Sequence, residues 1–362
     1  MKKVIAIFSV ILFVAIYYCS NNVKIIESYT DYREKKAFIG SDKTGLGGLY
    51  GMSYLPEFRI PFYYNIYPAK KTAKKNIDLY IFCDSYLFFP SKQIHFFGLD
   101  TLIKIKWWEI STYKQIYSLD SCKHNVLVIE MTERYVRDIC TEYYGIINLL
   151  KIDTTYCNKT LTEVINKPFT ISDFLERHFF NPNINSNLEL NLFDYLIFRP
   201  IKELKAEFNF KIFNRVNNDV FVDTAKNFLY YMPTVKGEQK MNSFFPLDSS
   251  ELSKICSNLN NIYDYYKQKG FEDVYLAIIP NPVTMVNPHI GLYNDLIPKL
   301  YSVDSLRMKI FDIYSVFARC PQKFYSRNDT HWNSEGLQTW LNEFNKILEI
   351  TSEKPINSMY SK

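Results

Sequence analysis

The sequence predicts an α/β fold in which helices cover both faces of a parallel sheet. Apolar runs of strand length, rich in Ile, Val, Tyr and Phe, predict the strands, because strands buried on both faces have this composition. Helical periodicity between some of the runs predicts the covering helices. The four apolar runs are 77-IDLYIF-82, 126-VLVIEM-131, 274-VYLAIIP-280 and 309-KIFDIY-314.

The clearest helical pattern lies directly before the third run, in 249-SSELSKICSNLNNIYDYYKQKG-270. Leu252, Ile255, Leu259 and Ile262 recur at helical spacing, a serine opens the segment and Gly270 closes it. A helix that ends a few residues before a buried strand is half of a βαβ unit. The pattern therefore favours a parallel sheet.

The first residues predict export from the cytoplasm. Lys2 and Lys3 precede an apolar run of about 16 residues from Val4 to Cys19, which is typical of a charged region followed by a membrane-inserting region. A cleaved signal, an uncleaved anchor and a lipid-modified Cys19 all fit. The bulky Tyr17 and Tyr18 favour an uncleaved anchor, formed by residues 1–22. Export of the chain predicts an extracytoplasmic location, in the periplasm or on the outer surface.

Composition bounds the rest of the chain, which has 362 residues, 17% aromatics and a net charge of +5. The charge is spread out, so nucleic-acid binding is not expected. The seven cysteines lack zinc-site spacing, and neither a metal nor a cofactor is predicted. We expect a loop or linker over 23–75, including 44-TGLGGLYG-51, a catalytic domain over 76–350, an insertion or lid at about 155–215, and a tail at 351–362.

Candidate catalytic residues follow the predicted strands, because ligands of an open parallel sheet gather outside the strands' carboxyl ends. Ser85 follows the first run and can act as a nucleophile if a base takes its proton. His331, in 329-DTHWNSEG-336, can supply that base, and Asp329 can orient it. At the end of the second run, Arg134 can bind a carboxylate or an oxyanion.

Each of these residues also has an ordinary structural interpretation. Asp-Ser occurs four times in the chain, and only Asp84-Ser85 directly follows a buried-looking strand. Asn333 or Ser334 can cap a helix whose buried face starts at Leu337. Arg134 can form a salt bridge with Glu130 or Glu133. Tyr135 can line a pocket or pack, and the histidines at 95, 124, 178 and 289 are expected to be structural or solvated.

The order strand-Asp84-Ser85, strand-Glu133-Arg134-Tyr135, strand-Pro280 and Asp329-Thr330-His331-Trp332 with Gly336 resembles the SGNH-hydrolase superfamily. Within it, the segment from Glu130 to Tyr135 and the Asp-Thr-His-Trp-x-x-x-Gly motif are similar to the alginate O-acetyltransferase (AlgX/AlgJ-like) branch. A weaker similarity covers 216-VNNDVFVDTAKNFLYYMP-233. Two features depart from that branch. Cys83 replaces the glycine of Gly-Asp-Ser, and the Asp-x-His half follows the serine half, as in ordinary SGNH hydrolases.

The resemblance covers roughly residues 76–140 and 210–350. It implies a three-layer, flavodoxin-like α/β/α fold and an extracytoplasmic enzyme that moves acetyl groups onto or off glycan hydroxyls. Ser85 would be the nucleophile, His331 the general base and acid, and Asp329 its orienting carboxylate. Arg134, Tyr135 and Trp332 would contact the oxyanion or the substrate.

The leading hypothesis is an O-acetyltransferase for a cell-surface or exported polysaccharide, with its acetyl donor supplied by a membrane-bound acetyl carrier protein. A carbohydrate acetylesterase with the same triad comes second. A non-catalytic glycan-binding or assembly protein on an SGNH scaffold comes third, and Cys83 motivates it.

Overall fold

The computed structural model describes residues 2–22, 24–26, 28, 45–66, 76–88, 90, 96–107, 113–142, 150–152, 161–164, 170–237 and 239–352. The chain forms two compact units. The helical unit comprises Met1–Pro61 and Asn166–Asn217, and the sheet unit comprises Phe62–Ile165 and Asn218–Lys362. The predicted tail beyond residue 352 lies outside the described residues.

The described strands all belong to the sheet unit. They are β1 (Ile77–Cys83), β2 (Leu99–Lys106), β3 (Tyr113–Tyr117), β4 (His124–Thr132), β5 (Leu150–Ile152), β6 (Leu161–Val164), β7 (Val220–Asp223), β8 (Phe228–Tyr231), β9 (Asp273–Ile279) and β10 (Lys309–Ile310).

The described α-helices are distributed over both units. They are α1 (Lys2–Asn21), α2 (Gly48–Ser53), α3 (Ser85–Phe88), α4 (Glu133–Glu142), α5 (Ile171–His178), α6 (Ile184–Leu192), α7 (Arg199–Phe213), α8 (Ser249–Gln268), α9 (Pro282–Val286), α10 (Leu296–Tyr301), α11 (Ile313–Phe317) and α12 (Ser334–Ser352). Short 3₁₀ helices occur at Pro56–Phe58, Leu196–Phe198, Met232–Thr234, Pro288–Ile290 and Pro321–Lys323.

A five-stranded sheet with the order β10-β9-β4-β1-β2 is the core of the sheet unit, and all its pairings are parallel. Counted along the chain, its strands follow the order 2-1-3-4-5 of flavodoxin-like sheets. Connections leave in opposite directions from β1 and β4, so these neighbours form the switch point where such sheets bind ligands. The predicted α/β class with a parallel sheet is confirmed.

Helices cover both faces of this sheet. On one face, Leu79 and Ile81 of β1 belong to a cluster with Trp340 and Phe344 of α12. On the other face, residues of β1, β4 and β9 pack with apolar side chains of α4, α8 and α10, among them Phe82, Val136, Leu259 and Leu300. All seven residues of β1 and all seven of β9 are buried, which explains why both were visible as unbroken apolar runs.

The predicted helix ends agree with the structure. The Asp248 carboxylate accepts the Glu251 N–H at 2.7 Å and caps α8, and Gly270 has a φ of +107°, a left-handed conformation that glycine adopts without strain. Asn333 caps α12, because its Oδ1 accepts the N–H groups of Glu335 and Gly336 at 3.0 Å.

Three predictions differ from the structure. The edge strand β2 was missed, because its lysines at positions 104 and 106 interrupt the apolar pattern, as is common in edge strands. Only Lys309–Ile310 of the fourth run is a strand, and Asp312 instead caps α11 by accepting the Ser315 N–H at 2.9 Å. Gly48–Ser53 of the expected glycine loop forms the short helix α2.

The helical unit contains α1, α2 and α5–α7. α1 is 20 residues long with a mean hydropathy of 2.1, so it is long and apolar enough to cross a membrane as an anchor or a signal sequence. Most of the predicted insertion, Asn166–Asn217, belongs to this unit together with the N-terminal residues. Residues 153–160 and 165–169 lie outside the described part of the chain.

Candidate active site

Ser85, His331 and Asp329 form a hydrogen-bonded chain at the carboxyl end of β1. Ser85 Oγ lies 2.8 Å from His331 Nε2, and His331 Nδ1 lies 2.5 Å from Asp329 Oδ1. The imidazole is 15% exposed and the Asp329 carboxylate 7%, while Ser85 is half-buried. A hydroxyl bonded to an imidazole that is itself bonded to a carboxylate is the arrangement that activates a serine nucleophile.

The turn from β1 into α3 presents Ser85, and Asp84 holds that turn. One oxygen of the Asp84 carboxylate accepts the Tyr86 N–H at 2.8 Å and so caps α3. The other accepts the Thr132 N–H at 3.0 Å and the Thr132 hydroxyl. Since Thr132 ends β4, this carboxylate joins the two strands of the switch point directly beside Ser85.

Glu130 of β4 also bonds to the turn that carries Ser85. Its Oε2 accepts the Asp84 N–H at 2.9 Å. Burial, together with the Asp84 carboxylate, raises the pKa of Glu130 well above its usual range, which favours the neutral acid. Glu130 and Thr132 were not predicted as site residues. Their only signal was their position in the Glu130–Tyr135 segment.

The loop that carries His331 is fixed at both ends. The Ser326 N–H donates to the His331 carbonyl at 3.1 Å, and Tyr325 and Trp332 form an antiparallel bridge. Asp329 Oδ1 also accepts the His331 N–H at 2.9 Å, and the Tyr86 hydroxyl donates to the Thr330 carbonyl. These bonds set the height and the tilt of the imidazole over Ser85.

Trp332 and Gly336 support the loop from the core. Trp332 is fully buried and makes an edge contact with Tyr86, with ring centroids 5.1 Å apart. A Cβ at Gly336 would lie 2.3 Å from the Phe324 carbonyl oxygen and 2.7 Å from Trp332 Cβ. Trp332, which was expected to contact substrate, is thus placed in the packed layer below the histidine, and glycine is required where α12 approaches that layer.

Arg134 lies beside Tyr86, the residue that follows Ser85. Its guanidinium carbon is 5.8 Å from the centre of the Tyr86 ring and 5.1 Å from that of Tyr135. Arg134 is only 5% exposed, and its Nε and Nη1 atoms have no hydrogen-bond partner among the described residues. Among the described residues, Arg134 forms no salt bridge with Glu130 or Glu133, the alternative that the sequence left open. A buried, incompletely bonded guanidinium is suited to binding an anion or a developing negative charge.

Glu133 bonds to the residues that follow β9 and not to Arg134. Its Oε2 accepts the Asn281 N–H at 2.8 Å, which ties the start of α4 to the end of β9. Burial raises the pKa of the Glu133 carboxyl to about 7.

The segment Phe62–Ile66 borders the site and was predicted only as linker. The Phe62 ring centroid lies 6.5 Å from that of His331, and Ser334 Oγ accepts the Asn65 N–H at 2.8 Å. Burial, followed by the Asp329 charge, raises the pKa of Tyr64 far above its usual value. The aromatic string 61-PFYYNIYP-68 was the available signal.

The other histidines lie elsewhere. His124 Nε2 is 2.9 Å from Asp273 Oδ2 at the amino ends of β4 and β9, away from the strand ends that carry Ser85. His178 stacks on Phe174, and His95 lies outside the described residues.

The described residues contain neither a candidate metal site nor a disulfide. No group of three or more His, Cys, Asp or Glu side chains in them could hold a metal ion. The described cysteines, at 19, 83, 122, 140, 256 and 320, are free, and Cys157 lies outside the described part of the chain.

Cys83 stands where the resembling family has glycine. Its backbone is not among those with positive φ, so the turn before Ser85 does not require glycine. The Cys83 side chain is fully buried in the core cluster that contains Leu79 and Ile81.

The site therefore combines a bonded serine, histidine and aspartate with a buried arginine at the switch point of a parallel sheet. Comparisons with protein-family models, with curated proteins and with solved structures found no match to this chain.

Proposed function

We propose that this protein is a serine-dependent O-acetyltransferase that acts, outside the cytoplasm, on hydroxyls of a cell-surface or exported polysaccharide. The observation that carries the proposal is the 2.8 Å contact between Ser85 Oγ and His331 Nε2, with Asp329 bonded behind the imidazole. The choice of an acetyl group and a glycan as substrates rests on the resemblance of the surrounding motifs to acetyl-transferring SGNH proteins.

In the first half-reaction, Ser85 Oγ attacks the carbonyl carbon of an acetyl ester while His331 Nε2 takes the hydroxyl proton. Asp329 stabilises the imidazolium that forms. The tetrahedral intermediate collapses, the bond to the donor's alkoxide breaks, and His331 returns the proton to that leaving oxygen. The result is acetyl-Ser85 and the free donor alcohol.

In the second half-reaction, a sugar hydroxyl gives its proton to His331 and attacks acetyl-Ser85. The ester bond to Ser85 breaks, Ser85 Oγ recovers the proton, and the acetylated sugar leaves. In both halves the carbonyl oxygen carries negative charge, which the Ser85 N–H at the start of α3 and the Arg134 guanidinium would stabilise.

α1 and the two lysines at its start support the proposed location. Lys2 and Lys3 stay on the cytoplasmic side when an apolar segment inserts, so the rest of the chain lies on the other side. We infer that α1 is retained as an anchor, with the acetyl donor delivered by a membrane-bound acetyl carrier protein.

The test uses the full chain in detergent with p-nitrophenyl acetate as donor and a panel of neutral and uronic-acid oligosaccharides as acceptors. Ser85→Ala should lower acetyl transfer by about 10³-fold or more. Ser121→Ala changes the serine of another Asp-Ser dipeptide, Asp120-Ser121, at an exposed turn, and should leave the rate unchanged.

The products separate the alternatives. Acetylated sugar indicates a transferase, and acetate release alone indicates an acetylesterase with the same triad. A glycan-binding or assembly protein predicts no Ser85-dependent turnover and a cellular phenotype that survives Ser85→Ala.

A further inference from the structure

The helical unit exposes apolar side chains on one surface, which we call the α5 face. Phe180 is 66% exposed, and the other members are Ile171, Phe174, Leu175 and Phe179, each at least 40% exposed. Three of the five are aromatic. An exposed patch of this composition marks a surface that another apolar body covers.

The α5 face adjoins the carboxyl end of α1. Asn21 Oδ1 accepts the Asn181 N–H at 3.0 Å, and the Ser20 carbonyl accepts a bond from Asn187 Nδ2 at 2.7 Å. Ser20 and Asn21 are almost fully buried, although both are polar. The end of α1 is therefore held by hydrogen bonds from Asn181, the residue after Phe180, and from Asn187.

The depth of the α5 face relative to α1 follows from two further contacts. The Tyr17 hydroxyl donates to the Phe179 carbonyl at 3.2 Å, and the rings of Tyr18 and Phe179 lie 6.3 Å apart. With a rise of about 1.5 Å per residue, the 20 residues of α1 span about 30 Å, the thickness of a bilayer's hydrocarbon core. Tyr17 and Tyr18 lie four and three residues before the end of α1, about 6 Å and about 4.5 Å from it, so they and Phe179 beside them lie at the border between the hydrocarbon core and the interfacial belt.

We propose that the α5 face inserts into the interfacial region of the same leaflet in which α1 ends, so that a phospholipid bilayer is its partner. The face continues the lipid-exposed surface of α1, and its amphipathic helix has acidic and polar residues, Ser172 and Glu176, on the opposite side. α1 is then not a tether alone. Its end and the α5 face together fix the orientation of the helical unit on the membrane.

The test measures the depth of a single introduced tryptophan in the full chain. Phe180→Trp reports on the α5 face, and Glu176→Trp reports on the exposed opposite side of the same helix. Each variant is placed, one chain per nanodisc, in phosphatidylethanolamine/phosphatidylglycerol bilayers with or without brominated acyl chains. The signal of the native tryptophans is subtracted with the unsubstituted chain.

Bromine should quench the Phe180→Trp signal at least about twofold more than the Glu176→Trp signal, because interfacial helices bury their apolar side by roughly 5–10 Å. Equal quenching at the two positions overturns the proposal. Quenching of Phe180→Trp that is absent at one chain per nanodisc and arises only when several chains share a vesicle also overturns it, in favour of a second copy as the partner. Unchanged thermal unfolding of both variants controls for folding.

Discussion

The two units place polar and apolar side chains in opposite ways. In the sheet unit, the central strands β1 and β9 are fully buried and apolar except at their ends. In the helical unit, α7 buries Glu203, which accepts hydrogen bonds from Tyr50 and Arg59, while the adjacent Leu204 is 69% exposed. Ile201, Phe208 and Ile212 share the exposed side of that helix.

This difference shows what each unit is adapted to. Exposed apolar surface costs free energy in water, so an inverted helix is stable where its surroundings are apolar. In the sheet unit, by contrast, several buried polar groups lie together at the carboxyl ends of β1 and β4, among them Asp84, Glu130 and Arg134. The sheet unit therefore places some of its buried polar groups at the candidate site, whereas buried Glu203 of the helical unit joins α7 to Tyr50 and Arg59.

The largest expected effect concerns the orientation of His331. Asp329→Asn should lower the rate of acetyl transfer by about 10³–10⁴-fold, because the amide can no longer stabilise the imidazolium or fix its tautomer. Steady-state rates with p-nitrophenyl acetate measure the loss. Asp248→Asn, which changes a helix cap far from this loop in sequence, is the control, and an equal loss in both variants would contradict the role given to Asp329.

The next effect compares apolar truncations in the two units. Leu79→Ala in fully buried β1 should lower the free energy of unfolding by about 2–5 kcal/mol, because it leaves a cavity. Leu204→Ala should change it by less than about 0.5 kcal/mol, because the side chain packs against little in the isolated chain. Urea titration of the full chain in detergent measures both. A loss of similar size at Leu204 would show that its side chain is covered within the chain.

A smaller effect is the pH dependence that Glu133 contributes. Its pKa is about 7 in the folded chain and near the ordinary carboxyl value when unfolded, so the folded state binds this proton more tightly. The contribution of Glu133 to the free energy of unfolding should therefore fall as the pH rises from about 4.5 to about 7, by up to about 3 kcal/mol, and should not change further above that range. Glu130, whose pKa is also raised, adds a fall of the same sign.

Glu133→Gln should remove the part of the slope that Glu133 contributes, since the amide does not titrate. Glu335→Gln, at an exposed carboxylate, should keep it. Urea midpoints measured at pH 5 and pH 8 for the three chains decide the matter, and an unchanged slope in Glu133→Gln would show that another group is responsible.

Local sequence patterns predicted β1, β4, β9, α8 and α12, since each depends on the chain's own periodicity and caps. They also pointed to Ser85, which follows the buried run of β1, and to Asp329 and His331, which stand two residues apart in the loop before α12. Contacts between distant segments were not predictable. The bond from Thr132 to Asp84 depends on the register of β4 against β1, and the approach of Phe62 to His331 depends on how the chain enters the sheet unit.

The resemblance to SGNH proteins raised a question about Cys83 that the backbone answers. Sequence alone could not say whether the turn before Ser85 needs a positive φ, because that depends on how Asp84 caps α3 and bonds to β4. The contacts of the predicted insertion at 155–215 were not predictable either, since no local pattern shows that Asn181 and Asn187 bond to the end of α1.

Trapping of a covalent intermediate is the direct test of Ser85 as the nucleophile. The full chain is mixed with p-nitrophenyl acetate without acceptor, quenched in acid, digested and analysed by mass spectrometry. We expect one acetyl group on the peptide that contains Ser85, and none on that peptide in Ser85→Ala. Consumption of the ester with Ser85 unmodified at every quench time, or an acetyl group on another residue that persists in Ser85→Ala, would contradict it.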